Sequence, residues 1–149
     1  MVETGSSKMA RWANLSARLG GWLAVLTIAV LSLVPGEIRP HTMSVSQIEH
    51  IIAYAATGAL LAAGYVALSQ RLLVVGGLTL YAGILEIIQI WVPGRTSKVV
   101  DLIAGSCGAL AGVLLVVALQ SLLSRVTRRA NSLDIVENQP VRVSSKLRG

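Results

Sequence analysis

A carboxylate, an amide, a guanidinium and a second carboxylate occur close together in the run LEIIQIWVPGRTSKVVD, residues 85–101. Glu86 and Gln89 lie inside an apolar stretch, Arg95 follows a Pro-Gly turn, and Asp101 re-enters apolar sequence. Carboxylates can transfer protons or accept hydrogen bonds, and a guanidinium can bind phosphate or carboxylate through two parallel hydrogen bonds. This segment therefore predicts a site for acid–base chemistry or for binding an anion.

A second polar group lies upstream, where Glu49 and His50 precede the apolar run that contains Tyr54. His50 and Tyr54 are four residues apart and would share one face of a helix. The chain has two histidines and lacks the HExxH, P-loop and GxSxG patterns that accompany zinc proteases, NTPases and α/β-hydrolases. We therefore expect no metal and no cofactor, and the residue pattern argues against an enzyme.

The composition indicates a membrane protein. Hydrophobic residues make up 54% of the 149 residues and charged residues only 13%, whereas soluble domains contain about a quarter charged residues. The basic residues that give the net charge of +6 stand at the ends of apolar runs, without the interleaved aromatics that stack on bases. Nucleic acid is therefore not an expected partner. Cys107 is the only cysteine and cannot form an intramolecular disulfide.

Four apolar segments approach the ~20 residues that a membrane span needs. They predict an all-α integral membrane protein, a bundle of four transmembrane helices at about 19–34, 50–69, 72–92 and 99–123. Residues 1–18 would form a cytoplasmic N-terminal segment, and residues 124–149 a basic, disordered cytoplasmic tail. A cleaved signal peptide is the alternative for the first segment, but no A-x-A-like site follows it.

The basic residues predict the orientation of the bundle. With the N-terminus in the cytoplasm, ten of the 13 Lys and Arg residues lie inside and three outside, which the positive-inside rule favours. Both termini are then cytoplasmic. The start of the second span, the end of the third and the start of the fourth fall on the outer side. The predicted site lies there and consists of His50, Tyr54, Glu86, Gln89, Arg95 and Asp101.

Helix faces support this grouping, but a structural role is an alternative. Asp101 continues along the fourth helix as the small-residue stripe Ala104, Gly105, Gly108 and Gly112, which suits close packing between helices. Glu86 could simply bond to neighbouring helices, and Asp101 could cap its own helix. Such polar contacts contribute about 0.6 kcal/mol on average, against ~2.5 to 3.5 kcal/mol for inserting a charge at the membrane centre. The comparison favours a functional role for Glu86.

These residues resemble a known family, the VanZ-like membrane proteins related to teicoplanin resistance. The resemblance rests on EHIIAYAATGALLAAGY and LEIIQIWVPGRTSKVVDLIAGSCGALAG. The matching positions are Glu49, His50, Tyr54, Glu86, Gln89, Pro93, Gly94, Arg95, Asp101, Gly108 and Gly112. Many members have Asp-Lys before the histidine, where this chain has Ile48-Glu49, and Asn shortly after the aspartate. The resemblance implies a multi-pass protein of the bacterial cytoplasmic membrane with a link to the cell envelope.

Three kinds of function are compatible with this sequence. The favoured one is a non-catalytic protein that binds membrane lipids, such as a lipid-linked cell-wall precursor, at an outer-leaflet site. In it Glu86 would orient Arg95 towards an anionic headgroup, and the protein would affect glycopeptide susceptibility. The alternatives are an intramembrane enzyme acting on a lipid phosphate, and a subunit of a transporter or assembly complex. Four short spans argue against a self-contained carrier, although a homo-oligomer could form one.

Overall fold

The computed structural model describes residues 5–35, 46–95 and 97–137. The regular elements in these ranges are four α-helices: α1, Gly5–Leu33; α2, Ser46–Gly64; α3, Leu68–Gln89; and α4, Val99–Glu137. The chain divides into two compact units, one ending at Val117 and the other beginning at Ala118. The first unit contains α1 to α3 and most of the apolar part of α4. The predicted all-α class and the order of four helices are confirmed.

Three of the helices are long and apolar enough to cross a membrane. The apolar segments are Ser7–Leu33, Leu68–Gln89 and Val99–Ser132. Their surfaces are also apolar, since Leu23 on α1 is 64% exposed and Leu73 on α3 is 74% exposed. Contiguous exposed apolar surface of this kind indicates contact with lipid or with another protein. These observations indicate a membrane protein, and among the described residues α2 is the one helix that does not combine the length and hydropathy of a membrane span.

Helix α2 ends earlier than the sequence predicted. The predicted second span reached Ser69, whereas α2 ends at Gly64 and α3 already begins at Leu68. Ala67 has extended backbone angles at the start of α3, with φ −71° and ψ 140°. The apolar run across this point therefore contains a chain reversal that hydrophobicity alone does not mark.

The first and last helices, α1 and α4, extend beyond the predicted spans. Helix α1 begins at Gly5 rather than near residue 19, so most of the predicted N-terminal segment is helical. Helix α4 continues to Glu137 rather than ending near residue 123, so residues 124–137 are helical and not the expected disordered tail. Arg, Leu and Ala are strong helix formers, which lets these polar ends remain helical without an apolar face. Residues 138–149 of the predicted tail lie outside the described ranges.

Helix α2 packs against α1 through small residues. A Cβ placed on Gly21 of α1 would lie 2.7 Å from Cγ of Leu61 on α2. Near the end of α2, a Cβ on Gly64 would lie 2.9 Å from the backbone nitrogen of Arg18. The two helices are thus close enough that these glycines leave no room for a side chain.

A second face of α2 packs against the predicted small-residue stripe of α4. A Cβ on Gly58 would lie 2.7 Å from the carbonyl oxygen of Ala109, and one on Gly108 would lie 3.0 Å from Cα of Ile51. A Cβ on Gly112 would meet the backbone of Ala55 even more closely. The stripe therefore faces a neighbouring helix and allows backbone-to-backbone contact.

Candidate functional site

The start of α2, the end of α3 and the start of α4 meet at one end of the first unit. The turn between α3 and α4 is tight, with the Trp91 and Val92 amides donating to the carbonyls of Ile88 and Gln89 at 3.0 and 3.1 Å. Gly94 adopts a φ of 72°, a left-handed conformation that favours glycine. This turn places Asp101 of α4 beside the last turn of α3, as the Pro-Gly pattern predicted.

Three of the six predicted site residues converge at this end. His50 of α2, Glu86 of α3 and Asp101 of α4 each place a potential ligand atom within 4.8 Å of those of the other two. Glu86 is 8% exposed and Asp101 6% exposed, so both carboxylates are buried. We call these three residues the polar cluster.

Hydrogen bonds fix the carboxylates of the polar cluster. The Ser97 hydroxyl and the Lys98 amide donate to Oε2 of Glu86 at 3.0 and 2.8 Å. The Gln47 side-chain amide donates to Oδ1 of Asp101 at 3.2 Å. Gln47, Ser97 and Lys98 are not among the six residues that the sequence predicted for the site. Their positions could have identified them. Each lies within four residues of the first residue of α2 or α4, and both helices contribute a polar-cluster residue near their start.

Tyr54 and Gln89 line the surroundings of the polar cluster in different ways. The Tyr54 ring is 2% exposed and stacks on the His50 ring, with centroids 6.4 Å apart and an angle of 11° between the planes. Gln89 is buried and donates from Nε2 to the Ser32 carbonyl of α1 at 3.1 Å. Tyr54 therefore supports the imidazole, whereas Gln89 joins the end of α3 to α1.

The side chain of Arg95 is bonded to the end of α1. Its Nη2 donates to the Leu31 carbonyl at 2.6 Å, and its Nε to the Val34 carbonyl at 3.4 Å. The last carbonyls of a helix lack intrahelical partners, and basic side chains commonly satisfy them. These bonds make Arg95 a cap for the end of α1, whereas Glu86 receives its bonds from Ser97 and Lys98. The expected arrangement, in which Glu86 orients Arg95, is not the one these bonds form.

The other end of α2 is capped by arginines in the same manner. Arg18 of α1 donates from Nε to the Gly64 carbonyl at 2.7 Å, and its guanidinium lies 4.5 Å from the centroid of the Tyr65 ring. Arg71 of α3 donates to the Ala62 and Tyr65 carbonyls at 3.2 to 3.3 Å. Both arginines are among the ten basic residues that the predicted orientation places on the cytoplasmic side. They also close the C-terminus of α2.

An apolar cavity lies between α1, α2 and α3, towards the end of the unit that holds Tyr65. Its volume is about 540 Å³. It is lined by Trp22, Val25, Leu61, Tyr65, Gln70, Leu73, Val74, Gly77, Leu78 and Tyr81. The cavity walls are mostly apolar, and the hydroxyl groups of Tyr65 and Tyr81 are among their few polar groups. The cavity therefore suits a hydrocarbon chain better than a charged group.

Three comparisons with known proteins gave one match, to a protein family. No curated protein and no solved structure matched the chain. A family model described as VanZ/LLP1 matches residues 8–120. The matched region includes α2 and α3 entirely and every residue of the polar cluster. The chain therefore belongs to the VanZ/LLP1 family of proteins.

Proposed function

We propose that this protein is a multi-pass protein of the bacterial cytoplasmic membrane that binds the headgroup of a lipid-linked molecule. The observation that carries the proposal is the polar cluster, in which three helices contribute two buried carboxylates and an imidazole. Ionisable groups within membrane domains are costly and are usually kept for function. A cluster used only to join helices would not need two carboxylates so close together.

The chemistry around the polar cluster suits a headgroup with both donors and a phosphate. Glu86 and Asp101 would accept hydrogen bonds from sugar hydroxyls or peptide amides. Lys98 is exposed and stands just before α4, where the helix N-terminus favours negative charge. We propose that Lys98 contacts the phosphate and that Arg95, tied to α1, holds the α3–α4 turn in position.

The proposed orientation places this end of the bundle on the outer side of the membrane, with both termini and the arginine-capped end of α2 in the cytoplasm. The excess of basic residues on the cytoplasmic side supports it. A lipid-linked cell-wall precursor is the ligand that best fits an outer-leaflet site with these donor and acceptor groups. Binding it would alter access of glycopeptides to their target, so we expect expression to change teicoplanin susceptibility.

The lipids that copurify with the protein test this proposal. Protein extracted in a mild detergent should retain a phosphate-containing lipid, identified by mass spectrometry. Glu86→Gln combined with Asp101→Asn should reduce the retained amount, because neutral amides replace two acceptors of the headgroup donors. Glu49→Gln is the matched control. It removes a carboxylate that lies at the same end of α2 as His50 but does not belong to the polar cluster.

The Lys98→Ala variant separates phosphate binding from the rest of the site. It should lose the phospholipid while keeping the thermal stability of the wild type, because the Lys98 side chain is exposed. If the wild type, the double variant and Glu49→Gln retain the same lipids in the same amounts, the polar cluster does not bind a headgroup.

A further inference from the structure

The polar cluster has the composition of a metal site, although the sequence predicted no metal. It supplies one imidazole nitrogen and two carboxylate oxygens from α2, α3 and α4. We propose that His50, Glu86 and Asp101 bind a divalent transition-metal ion, with Zn²⁺ as the best probe. The metal site stands on this geometry alone. A role of the metal ion in binding a lipid phosphate rests on the proposed function.

Electrostatics provides the first argument. Glu86 and Asp101 are buried, and their oxygens lie within 4.8 Å of one another. Two carboxylates this close repel each other, and a cation bound between them would offset that repulsion. A divalent ion carries the charge that balances both carboxylates, and the imidazole nitrogen supplies a third ligand atom.

The hydrogen bonds around the polar cluster provide the second argument. Metal ligands are normally held in place by outer partners that fix their orientation. Ser97 and Lys98 hold Glu86 through Oε2, and Gln47 holds Asp101 through Oδ1. The stacked ring of Tyr54 restricts the His50 imidazole. Each of the three ligands is therefore positioned by a neighbour that would not itself touch the metal.

The donor set indicates which ion would bind. Imidazole suits Zn²⁺ and other late transition metals, whereas Mg²⁺ and Ca²⁺ prefer oxygen ligands alone. Donors bound at about 2.1 Å to a tetrahedral ion lie roughly 3.4 Å apart. Separations of at most 4.8 Å need only small side-chain rotations to reach that value. Three protein ligands also leave a coordination position open, as in catalytic zinc sites.

In the proposed function, the open coordination position of the metal ion would bind the phosphate of the lipid headgroup. A zinc ion held by two carboxylates can bind a phosphate oxygen directly, which the carboxylates would otherwise repel. This explains how an acidic cluster could lie where a phosphorylated headgroup binds. In this arrangement, Lys98 and the ion would contact different oxygens of one phosphate.

Zinc binding to the purified full-length protein tests the proposal. A Cys107→Ser background removes the only thiol of the chain. After treatment with a chelator, equilibrium dialysis followed by elemental analysis should find about one Zn²⁺ per chain. His50→Gln and Asp101→Asn should each weaken binding by about tenfold or more, because each removes a ligand. His41→Gln is the matched control for the other histidine and should bind zinc as the parent does.

Thermal unfolding distinguishes the loss of a metal ligand from misfolding of the variant. Saturating zinc should raise the Tm of the parent protein, since the ion binds only the folded state. In the His50→Gln variant, the Tm of the metal-free protein is its own reference, and the zinc-dependent rise above that value should be lost. Zinc binding that is absent from the parent, or unchanged in His50→Gln, would overturn the metal site. A zinc-loaded parent that retains no phosphorylated lipid would contradict the headgroup proposal and leave the metal site intact.

Discussion

Replacing Gly58 by alanine should push α2 and α4 apart. The new Cβ would lie 2.7 Å from the carbonyl oxygen of Ala109 and 3.2 Å from its Cα. An ordinary van der Waals contact begins at about 3.4 Å, so the helices must separate locally by about 0.7 Å. A gap of about that size loses a quarter to a half of the attraction between facing atoms. The obstacle is backbone, which cannot rotate away as a flexible side chain would.

The expected cost follows from comparison with an unobstructed glycine. Overpacking a well-packed interface costs about 1–3 kcal/mol, whereas glycine to alanine in a helix gains about 1 kcal/mol. Gly76 on α3 is the matched control, since a Cβ there would have nothing within 4 Å. The gain in helix propensity is common to both variants. Gly58→Ala should therefore be less stable than Gly76→Ala by about 1–3 kcal/mol.

The free energy of unfolding can be measured by titrating detergent-solubilised protein with a denaturing detergent and following tryptophan fluorescence. Gly112→Ala should behave like Gly58→Ala, because its Cβ would meet the carbonyl group of Ala55 on the facing helix. If the Gly58→Ala and Gly76→Ala proteins have equal unfolding free energies, the close approach of α2 and α4 is not what makes glycine necessary. The packing argument would then be refuted.

Three further predictions concern hydrogen bonds and topology. Tyr81→Phe should lower the unfolding free energy by about 1 kcal/mol, because it removes the 2.7 Å bond from the Tyr81 hydroxyl to the Val25 carbonyl; an unchanged value would mean that water replaces the bond. Arg71→Met should lower the Tm by leaving the Ala62 carbonyl at the end of α2 without its guanidinium donor, whereas Arg71→Lys should keep part of the stability. Single cysteines can be placed at positions 96 and 135 in a Cys107→Ser background. A membrane-impermeant reagent added outside the cell should label position 96, whereas position 135 should react only when the reagent reaches the cytoplasmic side. External labelling at position 135 would contradict the proposed orientation.

Periodicity and spacing predicted the parts of the site that depend on helix geometry. The glycine stripe of α4 could be placed against another helix because residues four apart share a face, and Gly108 and Gly112 do meet the backbone of α2. Glu86 and Asp101 could be brought together because the Pro-Gly turn between them is short. His50 joined them because antiparallel helices place its end of α2 beside the same turn.

The partners of the long side chains could not be predicted in this way. Arg95 lies nine residues from Glu86, and the sequence offered that carboxylate as its obvious partner. Two of its acceptors are the backbone carbonyls of Leu31 and Val34. Every residue possesses a carbonyl, so no sequence pattern marks these two. The ends of α1 and α4 were missed for a related reason, since a polar continuation of a helix has no apolar period. Composition alone assigned residues 5–18 to a cytoplasmic segment and residues 124–137 to a disordered tail.

The short apolar length of α2 has a consequence for how the protein is made. Between His50 and the arginine-capped Gly64, the apolar part of α2 spans about 20 Å at ~1.5 Å per residue, well short of a ~30 Å hydrocarbon layer. Such a mismatch makes a solitary helix a poor substrate for membrane insertion. During synthesis, α1 is available to α2 at once, but the glycine-lined face of α4 emerges last. We therefore expect α2 to settle at its final depth only after α4 has been translated, so that truncation before α4 would leave α2 exposed to quality-control proteases.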